Sequence, residues 1–349
     1  MRLSDQALDA ARRRGDAVAD PLIASLGSDV WAINALVGPM TDNDSPCPSA
    51  VPRELRALLI PALPAWADVH RLRRAQEFAR RNLFGITVGL FCASLPLSYT
   101  ARSGARILRL AGRMSGDIDR RIHETARFVL DVLAPNGFDA GGAGRIAIGK
   151  VRLVHAAVRV ALLARGGEAE TPINQEDQAG TLGLFSVVVL KALVRLGVSV
   201  DPSEQEDFVY LWRVVGAMMG IEEALLPENF THGDALLSRI RRRQAASSED
   251  GRLLMGVLLE GMQRHLALGR LRTAPPSLVR YLIGHEAADV LGVPGVASAS
   301  AQRRVVHATS RLVPVLGARL IHLLTTAKLE GLPVTFAMPT LDRERSRRA

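Results

Sequence analysis

The sequence predicts an all-α protein, and three observations carry that prediction. Helix start and stop signals recur along most of the chain. Aromatic residues make up only 4% of it, so the core must be built from Leu, Val, Ile and Ala, a mixture that favours helix on helix over a sheet sandwich. Finally, apolar–polar alternation of period two is hard to find. The β-branched run Val187 to Leu190 lies inside a helical pattern reaching from about Gln175 to Leu196.

Taken in order, the elements justify themselves locally. Between Ser115 and Leu133, Ile118, Ile122, Thr125, Ala126, Val129 and Leu133 fall on one helical face, and Pro135-Asn136-Gly137 stops the run. A helix from Ile146 to Ala164 follows, ended by a Gly-Gly-Glu loop. Asp201-Pro202-Ser203-Glu204 combines an N-cap, a first-turn proline and a capping-box carboxylate, and it opens a helix with Phe208, Leu211, Val215 and Met218 inward. Ser277 is expected to open a helix through Leu278, Leu282 and Val290, stopped by Gly292 and Pro294. Arg303 to Leu329 forms another long apolar pattern. Residues 1–340 are expected to fold as one helical domain, and residues 341–349 as a charged, disordered tail.

The balance of 44 Lys and Arg against 35 Asp and Glu leaves a net charge of +9, which raises nucleic acid as a partner. The basic runs are scattered, however, at Arg12 to Arg14, Arg71 to Arg74, Arg241 to Arg243 and Arg343 to Arg348. Helical patterns normally carry such arginines on solvated faces, and no nucleic-acid module accompanies them. No nucleic-acid partner is expected. Cys47 and Cys92 read as ordinary thiols of a reducing compartment. The first thirty residues lack a signal-type apolar core, and the apolar stretch Leu83 to Leu97 is short and broken by Pro96. A cytoplasmic protein without an integral membrane span is the expectation. Nothing in the sequence sets an oligomeric state.

Gly144 to Lys150 has phosphate-loop spacing, but Val151 stands where a Ser or Thr should hold magnesium, and no strand precedes it. A loop leading into a helix is the better reading. Eight histidines are present, none paired at i and i+4 and none in a Glu-x-x-His pattern, which disfavours zinc and carboxylate di-iron sites. His155 differs from the rest. It is flanked by apolar residues and alanines, and it shares a face with Val151, Val158 and Leu162, so its imidazole points inward. Most such histidines are satisfied by hydrogen bonds within a core, yet a lone inward imidazole on a long helix also suits the proximal side of a haem. Arg152 and Arg159 would then be placed to meet its propionates.

A set of motifs in order gives a resemblance. Phe91-Cys-Ala-Ser-Leu95-Pro96, Tyr99 and Gly104, Arg121-x-x-Glu124-Thr125, Lys150-Val-Arg-Leu-Val-His155-Ala, Pro172-Ile-Asn-Gln-Glu-Asp177 and Trp212-Arg-Val-Val-Gly216 together resemble the latex-clearing-protein family. That family comprises bacterial rubber oxygenases and fungal membrane-bound oxygenases that cleave a prenyl side chain. The resemblance implies a globin-like helical core around a b-type haem, with additional helices. It implies His155 as the iron ligand, and Arg121 and Thr125 as residues supporting the haem. Arg121 and Thr125 are i and i+4 and therefore neighbours on one helix; a buried Arg there needs an anion.

The sequence also departs from the rubber-degrading members. Glu124 stands where they place a distal lysine, and no carboxylate occurs between Glu77 and Asp117, where they carry a glutamate base. The expectation is therefore a haem-b oxygenase that uses O₂ on a carbon–carbon double bond of a small apolar, isoprenoid-like substrate. Glu124 is the candidate replacement base, with Arg121 and Thr125 beside it. The alternative is a haem-binding sensor or carrier without turnover.

Overall fold

The computed structural model describes residues 4–25, 53–115, 118–166, 170–266 and 274–295, and among them the regular structure is helical. Extended pairing is limited to an isolated bridge between Ala101 and Ala245. The expected Arg303 to Leu329 helix and the 341–349 tail lie outside the described residues.

Short helices α1 (Asp5–Ala11), α2 (Ala19–Ser25) and α3 (Arg53–Leu59) precede α4 (Val69–Arg81). Next come α5 (Leu83–Tyr99), α6 (Arg102–Ser115), α7 (Ile118–Leu133) and α8 (Ala143–Arg165). The remaining helices are α9 (Gln175–Arg195), α10 (Pro202–Met218), α11 (Phe230–Gln244), α12 (Glu249–Leu266), α13 (Ala274–Ile283) and α14 (His285–Val290). Helix α10 packs along α4, α8 lies across α7, α2 and α3, and α11 closes over α9.

Several local rules operate as the sequence says. Asp201 and Glu204 form the reciprocal capping box of α10, with Pro202 in its first turn. Phe208, Leu211, Val215 and Met218 are all buried beneath it. Helix α9 has the length and apolarity of a membrane span, but about two thirds of its most apolar stretch is buried inside the protein. Neighbours on several sides explain why it lacks a polar stripe.

Two expectations are corrected, and one distortion goes beyond what the pattern shows. The helix placed at Ser277 begins at Ala274 and breaks at Gly284, whose φ of +87° only glycine adopts without strain. The Gly144 to Lys150 segment is neither a phosphate loop nor a loop entering a helix; it forms the first turns of α8. Its glycines serve close packing: a Cβ on Gly149 would come within 2.1 Å of the Leu59 carbonyl oxygen. Lastly, α5 and α9 each contain a π-helical turn, at Leu90–Ser94 and Leu184–Val188. The two turns touch, and the Ser94 hydroxyl donates to the Leu184 carbonyl across 2.7 Å.

Candidate functional site

The described helices line a partly open cavity of about 370 Å³, within the range that holds a small organic ligand. Helix α8 presents Val151, Val154, His155 and Val158 to it, on the inward face that the sequence predicts. Helix α7 contributes Glu124, Thr125 and Phe128. One cavity thus brings together His155 and the adjacent pair Glu124 and Thr125, thirty or more residues before it in sequence. The Arg121 backbone lies on α7 one turn before Thr125; its side chain lies outside the described residues.

Much of the remaining wall is apolar or aromatic. Phe185 stacks on Trp212 with ring centres 5.2 Å apart and planes 15° from parallel, and Phe128 tilts against Trp212 at 6.3 Å. The π-turns explain how Ser94, Leu184 and Phe185 reach this wall. A π-turn inserts a residue and rotates the following face, a distortion frequent at functional sites. Ile173, another wall residue, has φ of +49°. For a β-branched side chain this conformation costs on the order of 1–3 kcal/mol and persists only where the surroundings impose it. Its carbonyl is held by the Arg159 guanidinium at 2.8 Å.

Arg152 and Arg159 are placed elsewhere than the sequence suggests. Arg152 pairs with Asp16 at 2.6 Å and donates to the Met218 carbonyl. Arg159 pairs with Asp20 at 2.8 Å. Neither belongs to the cavity wall. At i−3 and i+4 they flank His155 on α8, but their guanidiniums turn to acidic residues of the N-terminal segment, which no local pattern links to them. The propionate role assigned to them is therefore not supported by their position.

The structure adds wall residues that sequence reasoning passed over. Asp177 lies at the wall; burial pushes its carboxyl up to about 6 against the opposing pull of Arg12. It accepts from Asn174 at 2.9 Å and Gln244 at 3.2 Å. The Tyr99 side chain is only 4% exposed, and its hydroxyl has no hydrogen-bond partner among the described residues. The Trp212 indole N–H is likewise buried without a partner there. Arg241, read from sequence as part of a solvated basic run, lines the same cavity. Its register was the available signal, because Leu237, Ile240, Arg241 and Gln244 follow the spacing of one helical face.

The donor set can be tested against a haem. Among the described residues no group of three or more His, Cys, Asp or Glu side chains could hold a bare metal ion. His155 is the one imidazole on the wall among them. Alanine and glycine at Ala101, Gly104 and Gly180 are among the smallest side chains of this wall. A single imidazole, a largely apolar wall and partnerless N–H and O–H donors suit a macrocycle that brings its own equatorial ligands and acidic groups. The residues fit the group.

Fold and cavity define the class: an all-helical protein with a largely apolar ligand chamber and one histidine on its described wall. Comparison with known proteins then gives the family. The family model "ER-bound oxygenase mpaB/B'/Rubber oxygenase, catalytic domain" matches residues 83–318, and the chain belongs to that family. It is similar to the Rubber oxygenase of Streptomyces sp. (strain K30), with 28% identity over 298 residues, covering 80% of this chain and 70% of that protein. The solved structure of Latex Clearing Protein LCP in the closed state shares the fold, with a TM-score of 0.75 and 24% identity over 90% of this chain and 91% of that one.

Proposed function

We propose that this protein is a b-type haem oxygenase that cleaves a carbon–carbon double bond of a small, apolar, isoprenoid-like molecule with O₂. The observation that carries the reading is the meeting of His155, Glu124 and Thr125 on one largely apolar cavity. The Streptomyces relative is named a rubber oxygenase, which supports an alkene as the bond broken. In the balanced reaction the double bond is broken, each of its carbons takes one oxygen atom of O₂, and two carbonyl fragments leave.

His155 would hold the iron, and Arg121 and Thr125 on α7 would support the haem. When bound, the haem supplies O₂ binding and activation. The chain's own residues do the rest. Val151, Val154, Phe128 and Leu184 surround the alkene with hydrocarbon, which favours its entry by about 25 cal/mol per Å² buried. The same wall excludes water from the reacting centre. It also disfavours sugars and nucleotides, whose polar groups would lose hydration without gaining partners. Glu124 is the proton-handling group: the half-buried residue lines the cavity, in reach of a ligand bound there.

The test begins with a spectrum. Protein from haem-replete cells should show a strong Soret band, and acidic solvent should extract the haem, because no Cys-x-x-Cys-His attachment motif exists. His155→Ala should lose most of the haem. Glu124→Gln should keep it while slowing O₂ uptake and carbonyl formation by about a hundredfold, the lower end of general acid–base contributions. Full haem occupancy with an unchanged spectrum in His155→Ala would sink the assignment.

A further inference from the structure

Other largely buried arginines each face an anion or a ring, although single nitrogens of Arg159 and Arg213 also lack a hydrogen-bond partner among the described residues. Arg12, Arg152, Arg159, Arg243 and Arg280 each have a carboxylate within salt-bridge distance, and Arg213 stacks over the Trp66 ring at 4.8 Å. Arg241 is different. Its guanidinium makes no salt bridge, hydrogen bond or ring stack among the described residues, and its Nε is buried without a partner. Burial lowers its pKa, and the charges of Glu286 and Asp234 act on it only from a distance. A desolvated cation held without an anion is costly unless a ligand supplies one.

Tyr99 is brought to the same end of the cavity. The Ala246 N–H donates to the Thr100 carbonyl at 3.0 Å, and Ala101 bridges to Ala245. The backbone just after Tyr99 is therefore bonded to the C-terminal end of α11, one turn beyond Arg241. Tyr99 lines the cavity with a hydroxyl that nothing described satisfies, and burial raises its pKa, which keeps it a neutral donor. Asp177, also nearby through Gln244, has its carboxylate occupied by Asn174, Gln244 and the facing Arg12. It therefore leaves Arg241 uncompensated.

We propose that the molecule taken by this cavity carries a carboxylate, which Arg241 binds by charge and Tyr99 by a hydrogen bond, at the end of the chamber where α11 joins the segment after Tyr99. The inference rests on the apolar-ligand reading above and narrows it to amphipathic acids. The same chemistry has a second source, the carboxylates of a bound haem, and the experiment separates the two.

Haem-loaded wild type, Arg241→Gln, Arg241→Lys and Tyr99→Phe are titrated by calorimetry with geranic acid and with geraniol, which share a carbon skeleton. Haem content and melting temperature are measured on each. Expected for a substrate carboxylate is at least about a tenfold weakening of geranic acid in Arg241→Gln, in keeping with charge-assisted bonds. Arg241→Lys should recover part of it, Tyr99→Phe should lose less, and geraniol should be unaffected. If instead Arg241→Gln loses haem while the acid and alcohol preferences stay as in wild type, the carboxylate is the cofactor's and the anchor stands. Unchanged haem content and unchanged geranic acid affinity in a folded Arg241→Gln overturn the proposal. If wild type binds neither compound, the apolar-ligand reading fails, and haem retention in Arg241→Gln then decides the anchor by itself.

Discussion

At Asp177, burial first and then the charges of Glu176 and Glu170 reverse the usual behaviour of a carboxylate. Its folded pKa is raised from 3.8 to about 6, with Arg12 pulling against desolvation. A group whose folded pKa is raised contributes stability below its unfolded value and loses it as pH rises through the folded one. Asp177→Asn should therefore gain stability relative to wild type as pH rises from 3.8 to about 6. Denaturant melts of the two proteins across that window read the sign, and a difference that stays flat would remove Asp177 from the set of buried titrating groups. His155 and Glu124 show the other side of the same scale. Their inward position was legible for His155, from the apolar register of α8, and legible for Glu124 only through family resemblance. A carboxylate beside Arg127 and Arg121 in sequence looks like any solvated helix residue until the fold forms a cavity beside it.

Helix boundaries were largely readable because caps and breakers act within a few residues. The capping box of α10 and the stop at Pro135 to Gly137 are examples. What the periodicity misses is how one helix meets another. Gly149 in α8 lies against the backbone of α3, with the Leu59 carbonyl 2.1 Å from where a Cβ would sit and the Leu58 carbonyl at 2.5 Å. Backbone cannot rotate away as a side chain can. Gly149→Ala, a change that favours an isolated helix by about 1 kcal/mol, should therefore destabilise this protein by about 1–3 kcal/mol through overpacking. A thermal melt equal to or above wild type would show that α3 gives way at little cost. The π-turns of α5 and α9 belong to the same category. An inserted residue keeps local propensity intact, and only the mutual contact of the two turns, including Ser94 to Leu184, makes the distortion worthwhile.

Over the whole molecule, the N-terminal segment acts as a strap. Asp5 and Asp9 reach Arg239 and Arg243 of α11. Arg12 reaches Glu170 and Glu176, Arg14 reaches Glu222, and Asp16 and Asp20 reach the two arginines that flank His155 on α8. Asp16 is the most buried of the strap's own acids, 2% exposed. Burial pushes its carboxyl up, but Arg152 and the Ala19 and Val18 backbone N–H groups outweigh that and hold it below its ordinary value. The sign is therefore opposite to that of Asp177: its stabilisation is present above the ordinary aspartate value and lost as pH falls through the lower folded one. Asp16→Asn should cost about 3–5 kcal/mol at neutral pH, because it strands Arg152, and the gap to wild type should close in acid. Chemical denaturation at both pH values checks this, and a constant gap would show that shape, not charge, holds the strap.

By itself the sequence determined the helical class, most helix limits, the inward face of His155 and, through an ordered set of motifs, the family. These properties are local or are written as patterns along the chain, so a linear reading reaches them. Only the tertiary structure decided which side chains share a chamber. It moved Arg152 and Arg159 from the expected haem edge to the N-terminal strap, and Arg241 from a solvated run to the cavity wall. The reason is physical: an arginine's role depends on which carboxylate or void the fold brings within reach, and neighbours more than a hundred residues away in sequence, as Asp16 is from Arg152, leave no trace in local spacing.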